Sequence, residues 1–116
     1  MAIDEKQSAR ERRAGQNQSL FRDLNERINA LQDARSVWGT ISEWVCECAD
    51  ETCTERIAMT PEEYEELRSN ATHFAVATAE MHVVPDVERI VEKRERYWVV
   101  EKQGEAAEVA EELDIR

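Results

Sequence analysis

The spacing of apolar residues after Ser19 predicts an N-terminal helix. Positions three or four residues apart lie on one side of an α-helix, and the chain has an apolar stripe of this kind: Phe21, Leu24, Ile28 and Leu31. We assign the polar positions between them to the solvent face: Arg22, Asp23, Asn25, Glu26, Arg27 and Asn29. Two heptads are short for an independent coiled coil. The stripe is therefore expected to dock on the chain's own sheet or to form a homodimer with the same helix of a second copy.

The segment before this helix is polar and is predicted to be a weak helical lead-in. Gly15 is expected to interrupt it, because glycine costs about 1 kcal/mol relative to alanine inside a helix. We therefore divide the chain into a flexible polar lead-in over residues 1–18 and a single domain over residues 19–116. The lead-in carries a short basic cluster: Arg10, Arg12 and Arg13. Such a cluster contacts phosphate or acidic groups, or it is simply a solvated helix face.

Alternating positions predict a β-hairpin in the middle of the chain. The first strand, over residues 40–48, places Trp44, Cys46 and Cys48 on one face, which is the period of a half-buried strand. A turn follows, and the second strand covers residues 54–60. Because residues two positions apart on a strand lie on the same face, the side chains of Cys46 and Cys48 are predicted to point the same way.

The segment that follows the hairpin is a clear helix start. Thr60 suits the N-cap, Pro61 suits the first helical position, and Glu63 completes a capping box. The helix is predicted to run from Pro61 to about Ser69.

The remaining pattern completes an α+β fold. Further strands are predicted over residues 72–78 and 97–102, a strand or short helix over 87–93, and a loop containing His82 over 79–85. After Gly104 a short C-terminal helix or tail is expected. The predicted architecture is an N-terminal helix, an antiparallel sheet of four to five strands, one inserted helix, and a short C-terminal helix or tail.

Charge narrows the classes of partner. The chain of 116 residues has a net charge of −11, and this excess lies after residue 35. Such a surface repels phosphate backbones and anionic membranes, so it serves solubility or faces a basic protein partner. No apolar run is long enough to span a membrane and no apolar signal core is present. We therefore expect a cytoplasmic protein, in which an odd number of cysteines indicates reduced thiols or a metal.

The three cysteines are the main candidates for chemistry. Cys46-x-Cys48-x4-Cys53 brings three sulfurs to one turn, and zinc prefers four thiolate or imidazole ligands in a tetrahedron. His82, in a loop, is our first choice for the fourth ligand, and His73, at a strand start, is the second. Water in the fourth position would make an open site. The alternative is three reduced cysteines near a buried turn, without a metal.

Three segments together resemble a family of small bacterial proteins without an assigned activity. They are a Cys-x-Cys-x4-Cys-x-Glu stretch, a Thr-Pro-Glu-Glu-Tyr helix start, and a later histidine ahead of Pro-Asp-Val-Glu-Arg. In this chain the residues concerned are Cys46, Cys48, Cys53 and Glu55, Thr60 to Tyr64, and His82 with Pro85 to Arg89. Ala49 and Glu80-Met81 depart from the pattern, which has glycine after the second cysteine and Pro-Gly before the histidine. The resemblance implies that Cys46, Cys48, Cys53 and His82 belong together, and it implies no activity.

The preferred function is a non-enzymatic interaction or regulatory module stabilised by one zinc ion. A small metalloenzyme or a thiol redox protein using the same cysteines is the alternative. A nucleic-acid binder acting through the basic cluster is a third hypothesis. No nucleophile elbow, phosphate loop or isolated acid pair supports another enzyme class.

Overall fold

The computed structural model describes the backbone of residues 2–34 and 40–116, and the side chains of residues 7–31 and 40–116. The elements in chain order are α1 (Ala2–Ala34), β1 (Ser42–Val45), β2 (Arg56–Met59), α2 (Pro61–Leu67), β3 (His73–Val76), β4 (Glu88–Lys93), β5 (Trp98–Lys102) and α3 (Gly104–Glu112). A 3-10 helix covers Glu80–His82. The α+β class and the order of the elements are confirmed.

In the described part of the chain, five strands are divided between two antiparallel sheets. β1 pairs with β2, with Trp44 opposite Ile57, and the second sheet has the order β3-β5-β4. A single sheet was predicted from the sequence. The alternation of apolar and polar residues identifies strands, but it does not show which strands pair with one another. The sheets are linked just beyond β1, where the Glu47 amide donates to the Ala75 carbonyl at 2.8 Å.

The predicted start of α2 is confirmed in detail. The Glu63 amide donates to the Thr60 hydroxyl at 3.1 Å, and the Thr60 amide donates to the Glu63 carboxylate at 2.9 Å. The helix ends at Leu67, two residues before the predicted end. On its buried side Tyr64 stacks on Trp44, with ring centroids 4.5 Å apart. The capping box therefore positions the ring that α2 contributes to one of the two buried clusters.

The buried face of α1 is polar, which corrects the sequence prediction. The buried positions along this helix are Gly15, Gln18, Ser19, Arg22, Asn25 and Asn29. Three of them had been assigned to solvent. Of the predicted apolar stripe, Ile28 packs against the core, whereas Leu24 is 40% exposed and Leu31 is 58% exposed. The helix docks on its own domain mainly through polar contacts.

The polar face is buried because the domain offers unpaired backbone groups to it. Asn25 acts like a neighbouring strand: its side chain accepts from the Val45 amide and donates to the Val45 carbonyl, both at 2.9 Å. Arg22 donates to the carbonyls of Ala71 and Ala110. Its guanidinium also lies 4.6 Å from the centroid of the Phe74 ring. Hydrogen bonds from a charged donor contribute about 1.5–3 kcal/mol, so these contacts replace the apolar docking that was expected.

Helix α1 passes through Gly15 without the predicted interruption. Gly15 is buried where α1 crosses α3, and Arg12 forms ion pairs with Glu105 and Glu112 on that helix, each at 3.2 Å. The predicted flexibility of residues 1–18 stays a prediction. The contacts of α3, which buries Ala106, Val109 and Ala110, show that the C-terminal segment is a packed helix.

Replacing Gly15 by valine is expected to destabilise the fold by about 1–3 kcal/mol, the usual cost of overpacking. A Cβ atom at Gly15 would lie 3.0 Å from the Ala106 carbonyl oxygen and 3.0 Å from the Val109 Cβ atom. Urea denaturation measures the change. Gln16→Val, at the exposed neighbouring position, is the matched control and should change stability by less than about 0.5 kcal/mol. Equal effects at both positions would contradict the packing described for α1 and α3.

No helix in the described part of the chain combines the length and the apolar character needed to cross a membrane.

Candidate metal centre

The cysteines lie in the connection between β1 and β2. The first strand ends at Val45, one residue before the first cysteine, so Cys46 and Cys48 follow the strand instead of lying on it. The Cys46 amide still donates to the Glu55 carbonyl at 3.2 Å, and the Cys53 amide donates to the Asp50 carbonyl at 3.0 Å. These hydrogen bonds reverse the direction of the chain, so that the Cys53 sulfur lies close to the sulfurs of Cys46 and Cys48.

His82 reaches the cysteines from the short 3-10 helix. The His82 amide donates to the Ala79 carbonyl, and the Val83 amide donates to the Glu80 carbonyl, each at 3.0 Å. This turn directs the imidazole Nδ1 atom to within 3.7 Å of the Cys46 sulfur and 3.8 Å of the Cys53 sulfur.

The structure therefore brings together the four side chains that the sequence singled out. One atom from each of Cys46, Cys48, Cys53 and His82 lies within 4.8 Å of the others, and no disulfide joins the cysteines. Zn–S bonds of about 2.3 Å and Zn–N bonds of about 2.05 Å in a tetrahedron imply S···S separations of about 3.8 Å and S···N separations of about 3.6 Å. The two sulfur–nitrogen distances are close to that value. The group is therefore compatible with a metal site.

The thiol groups of the cluster differ in pKa. The Ala77 amide donates to the Cys46 sulfur at 3.3 Å. A hydrogen bond between the Cys46 and Cys48 side chains lowers the pKa of Cys48 to about 5 and raises the pKa of Cys46. A hydrogen bond from His82 also lowers the pKa of Cys48. The shifts run in opposite directions because neighbouring thiolates repel one another without a cation. A divalent cation removes that repulsion and draws the remaining thiols into their thiolate form.

Glu47 lies between two of the cysteines and is fully buried, although an acidic residue in a polar turn is normally exposed. Its carboxylate accepts from the Asn25 side chain at 2.8 Å and from the Ala75 amide at 3.0 Å. Burial raises the pKa of Glu47 to about 7, while these hydrogen bonds oppose the shift. Glu47 therefore anchors the cysteine segment to both α1 and β3.

A buried ion pair joins β4 to β5. Lys102 and Glu88 form a pair whose side chains are both fully buried, and Glu88 also accepts from the Gln18 side chain at 2.8 Å and from the Val84 amide at 2.9 Å. Burial lowers the pKa of Lys102 to about 8, and Glu88 opposes that shift. Attraction to Cys48 also opposes the lowering of the Lys102 pKa, so a positive charge lies within electrostatic reach of the cysteine cluster.

The other candidate residues lie elsewhere. His73 bonds to Glu101 at 3.0 Å and is not part of the four-residue group. In the basic cluster, Arg10 pairs with Asp86 and Arg12 pairs with α3. Two of its three charges are therefore neutralised within the chain.

Sequence reasoning missed the residues that support the cluster. Gln18 fell in the segment predicted to be a flexible lead-in, and Asn25 occupied a predicted solvent position of the helix. Glu47 looked like one more member of a general acidic excess. Only a weak signal was present, namely an acidic residue placed between two cysteines that were expected to be buried.

The fold and the site together define the class of protein, which is an α+β domain with a cluster of three cysteines and one histidine. No family model, curated protein or solved structure matches this chain. The resemblance inferred from sequence motifs therefore stays a prediction.

Proposed function

We propose that the protein is a non-enzymatic interaction or regulatory module whose hairpin is stabilised by one zinc ion. Cys46, Cys48, Cys53 and His82 are the proposed ligands. The observation that carries the proposal is the convergence of four donors of the types that zinc prefers within 4.8 Å. Thiolate and imidazole ligands favour zinc over magnesium or calcium, which prefer oxygen.

The closed character of the group supports a structural role over a catalytic one. A catalytic zinc keeps one position for water or substrate, whereas in the proposed site His82 fills the fourth position. Cys46 is 2% exposed, Cys48 is 1% exposed and His82 is 8% exposed, so a substrate would have little access to the ion. The alternative function, a metalloenzyme or thiol redox protein using the same cysteines, would require His82 to leave the ion or Cys53 to react from its partly exposed position.

Cobalt substitution distinguishes the closed site from the open one. Co²⁺ bound by three thiolates and one imidazole should give intense visible bands typical of a tetrahedral site, at one ion per chain. Added azide should leave those bands unchanged, because no position is free. A spectrum that shifts with azide would support the metalloenzyme alternative. A chain that binds no cobalt would overturn the zinc module and the metalloenzyme, and would leave only the thiol redox protein.

The partner of the module is also a proposal. The net charge of −11 would attract a protein with a basic surface. The other partner considered is a second copy of the chain, in a homodimer through Phe21, Leu24, Ile28 and Leu31. Since Ile28 already packs against its own core, Leu24 and Leu31 are the members of that stripe best placed to meet another molecule.

The nucleic-acid hypothesis loses support from the ion pairs of the basic cluster. Only Arg13 of the three arginines has no ion-pair partner among the described residues. A binder of phosphate backbones depends on several uncompensated cations, and the rest of the chain is acidic.

A further inference from the structure

The side of α1 that faces away from the domain carries a row of exposed leucines. Leu20 is 58% exposed, Leu24 is 40% exposed and Leu31 is 58% exposed. Their positions, with Arg27 filling the gap, are spaced by four, three and four residues, which is the heptad spacing of a helix–helix seam. We call Leu20, Leu24, Arg27 and Leu31 the outer face of α1. Exposed leucines aligned along one side of a helix, on an otherwise highly charged protein, indicate an interaction surface.

Two charged groups beside this row lack the partners they would normally have. The Asp23 Oδ1 atom is buried and accepts no hydrogen bond from any described residue. Arg27 is exposed and forms no ion pair within the described part of the chain. Although Asp23 and Arg27 are four residues apart, the i,i+4 pair that helix geometry allows is not formed. They line a cavity of about 340 Å³ together with Glu26, Ala30 and Ile115.

Charge favours a second copy as the occupant of the outer face. Residues 2–34 contain six basic and six acidic side chains, so α1 is neutral, and the whole net charge of −11 lies elsewhere. A basic partner would be attracted to the acidic remainder and not to α1. Two copies of the chain repel each other across most of their surfaces and can approach without net repulsion along α1.

We propose that the outer face of α1 pairs with the same face of a second copy in an antiparallel two-fold arrangement. A two-fold contact is self-complementary: if residue i of one copy contacts residue j of the other, then residue j of the first copy also contacts residue i of the second. With the axis at the level of Asn25 and Glu26, Leu20 packs against the partner's Leu31, and Leu24 packs against the stem of the partner's Arg27. The guanidinium of Arg27 then lies close to the partner's Asp23 carboxylate, so that opposite charges meet twice per dimer. This pairing goes beyond the zinc module and does not depend on the metal.

Sedimentation velocity of the full-length, zinc-loaded chain tests the pairing across micromolar to millimolar concentrations. The expected result is a concentration-dependent shift from monomer to dimer. Leu24→Glu should leave a monomer at every concentration, whereas Met81→Glu, at a site that is 85% exposed on the 3-10 helix, should dimerise like the unmodified chain. A wild-type chain that stays monomeric, or a Leu24→Glu variant that dimerises normally, would overturn the proposal.

A charge exchange tests the antiparallel geometry. Asp23→Arg alone and Arg27→Asp alone each place two like-charged pairs in the dimer, and each should weaken it about tenfold, since 1.4 kcal/mol corresponds to a factor of ten. The double variant Asp23→Arg/Arg27→Asp should restore the wild-type Kd. If the double variant is as weak as the single ones, the arrangement is wrong. A zinc-site variant that still dimerises would leave this proposal standing even if the proposed zinc function failed.

Discussion

Replacing His82 by glutamine is expected to abolish stoichiometric zinc binding and to lower the stability of the protein by about 4 kcal/mol when free zinc stands about 1,000-fold above its Kd. The imidazole supplies one of four donors, and a bound ion stabilises the folded state only as far as it binds that state more tightly than the unfolded chain. Cys46→Ser should behave similarly. Urea denaturation with and without zinc, together with metal analysis, measures both effects.

His73→Gln is the matched control for that experiment. It makes the same substitution at the only other histidine of the chain, which bonds to Glu101 outside the cluster. Zinc content and the zinc-dependent gain in stability should be unchanged. Loss of zinc from the His73 variant, or its retention by the His82 variant, would show that the wrong imidazole has been assigned.

Replacing Lys102 by methionine is expected to cost about 3–5 kcal/mol, the usual penalty for leaving one partner of a buried ion pair without its counter-charge. The Glu88 carboxylate would keep its bonds from Gln18 and from the Val84 amide but would lose the ammonium group. Urea denaturation of the zinc-loaded protein gives the change in unfolding free energy.

Removing both charges separates the ion pair from simple packing. The double variant Lys102→Met/Glu88→Leu should recover most of the lost stability, because well-packed apolar side chains replace a buried pair at little cost. If the double variant is as unstable as Lys102→Met, or the single variant costs less than about 1 kcal/mol, then Glu88 does not depend on Lys102.

Local patterns were enough to predict most elements of this fold. The capping box at Thr60 and Glu63 marks a helix start wherever it occurs, because both bonds lie within four residues. The α+β order followed from similar short-range signals. The division into two sheets did not, because strand pairing depends on residues far apart in sequence.

The orientation of α1 could not be read from its sequence. Its apolar stripe was assigned inward on the general rule that apolar faces seek the core. That rule fails here since the domain presents backbone groups at Val45, Ala71 and Ala110, and only polar side chains can satisfy them. The four-residue cluster was predictable because cysteine and histidine are recognisable in the sequence as metal-binding residue types. The roles of Glu47 and Lys102 could be inferred only after their burial was known.

Metal content of the purified chain, measured by mass spectrometry alongside a thiol count, is the most direct test of the proposed site. One zinc per chain is predicted, with three thiols that react slowly until the ion is removed and rapidly afterwards. A protein that carries no metal after exposure to zinc, and whose three thiols react at the same rate with or without a chelator, would contradict the proposal.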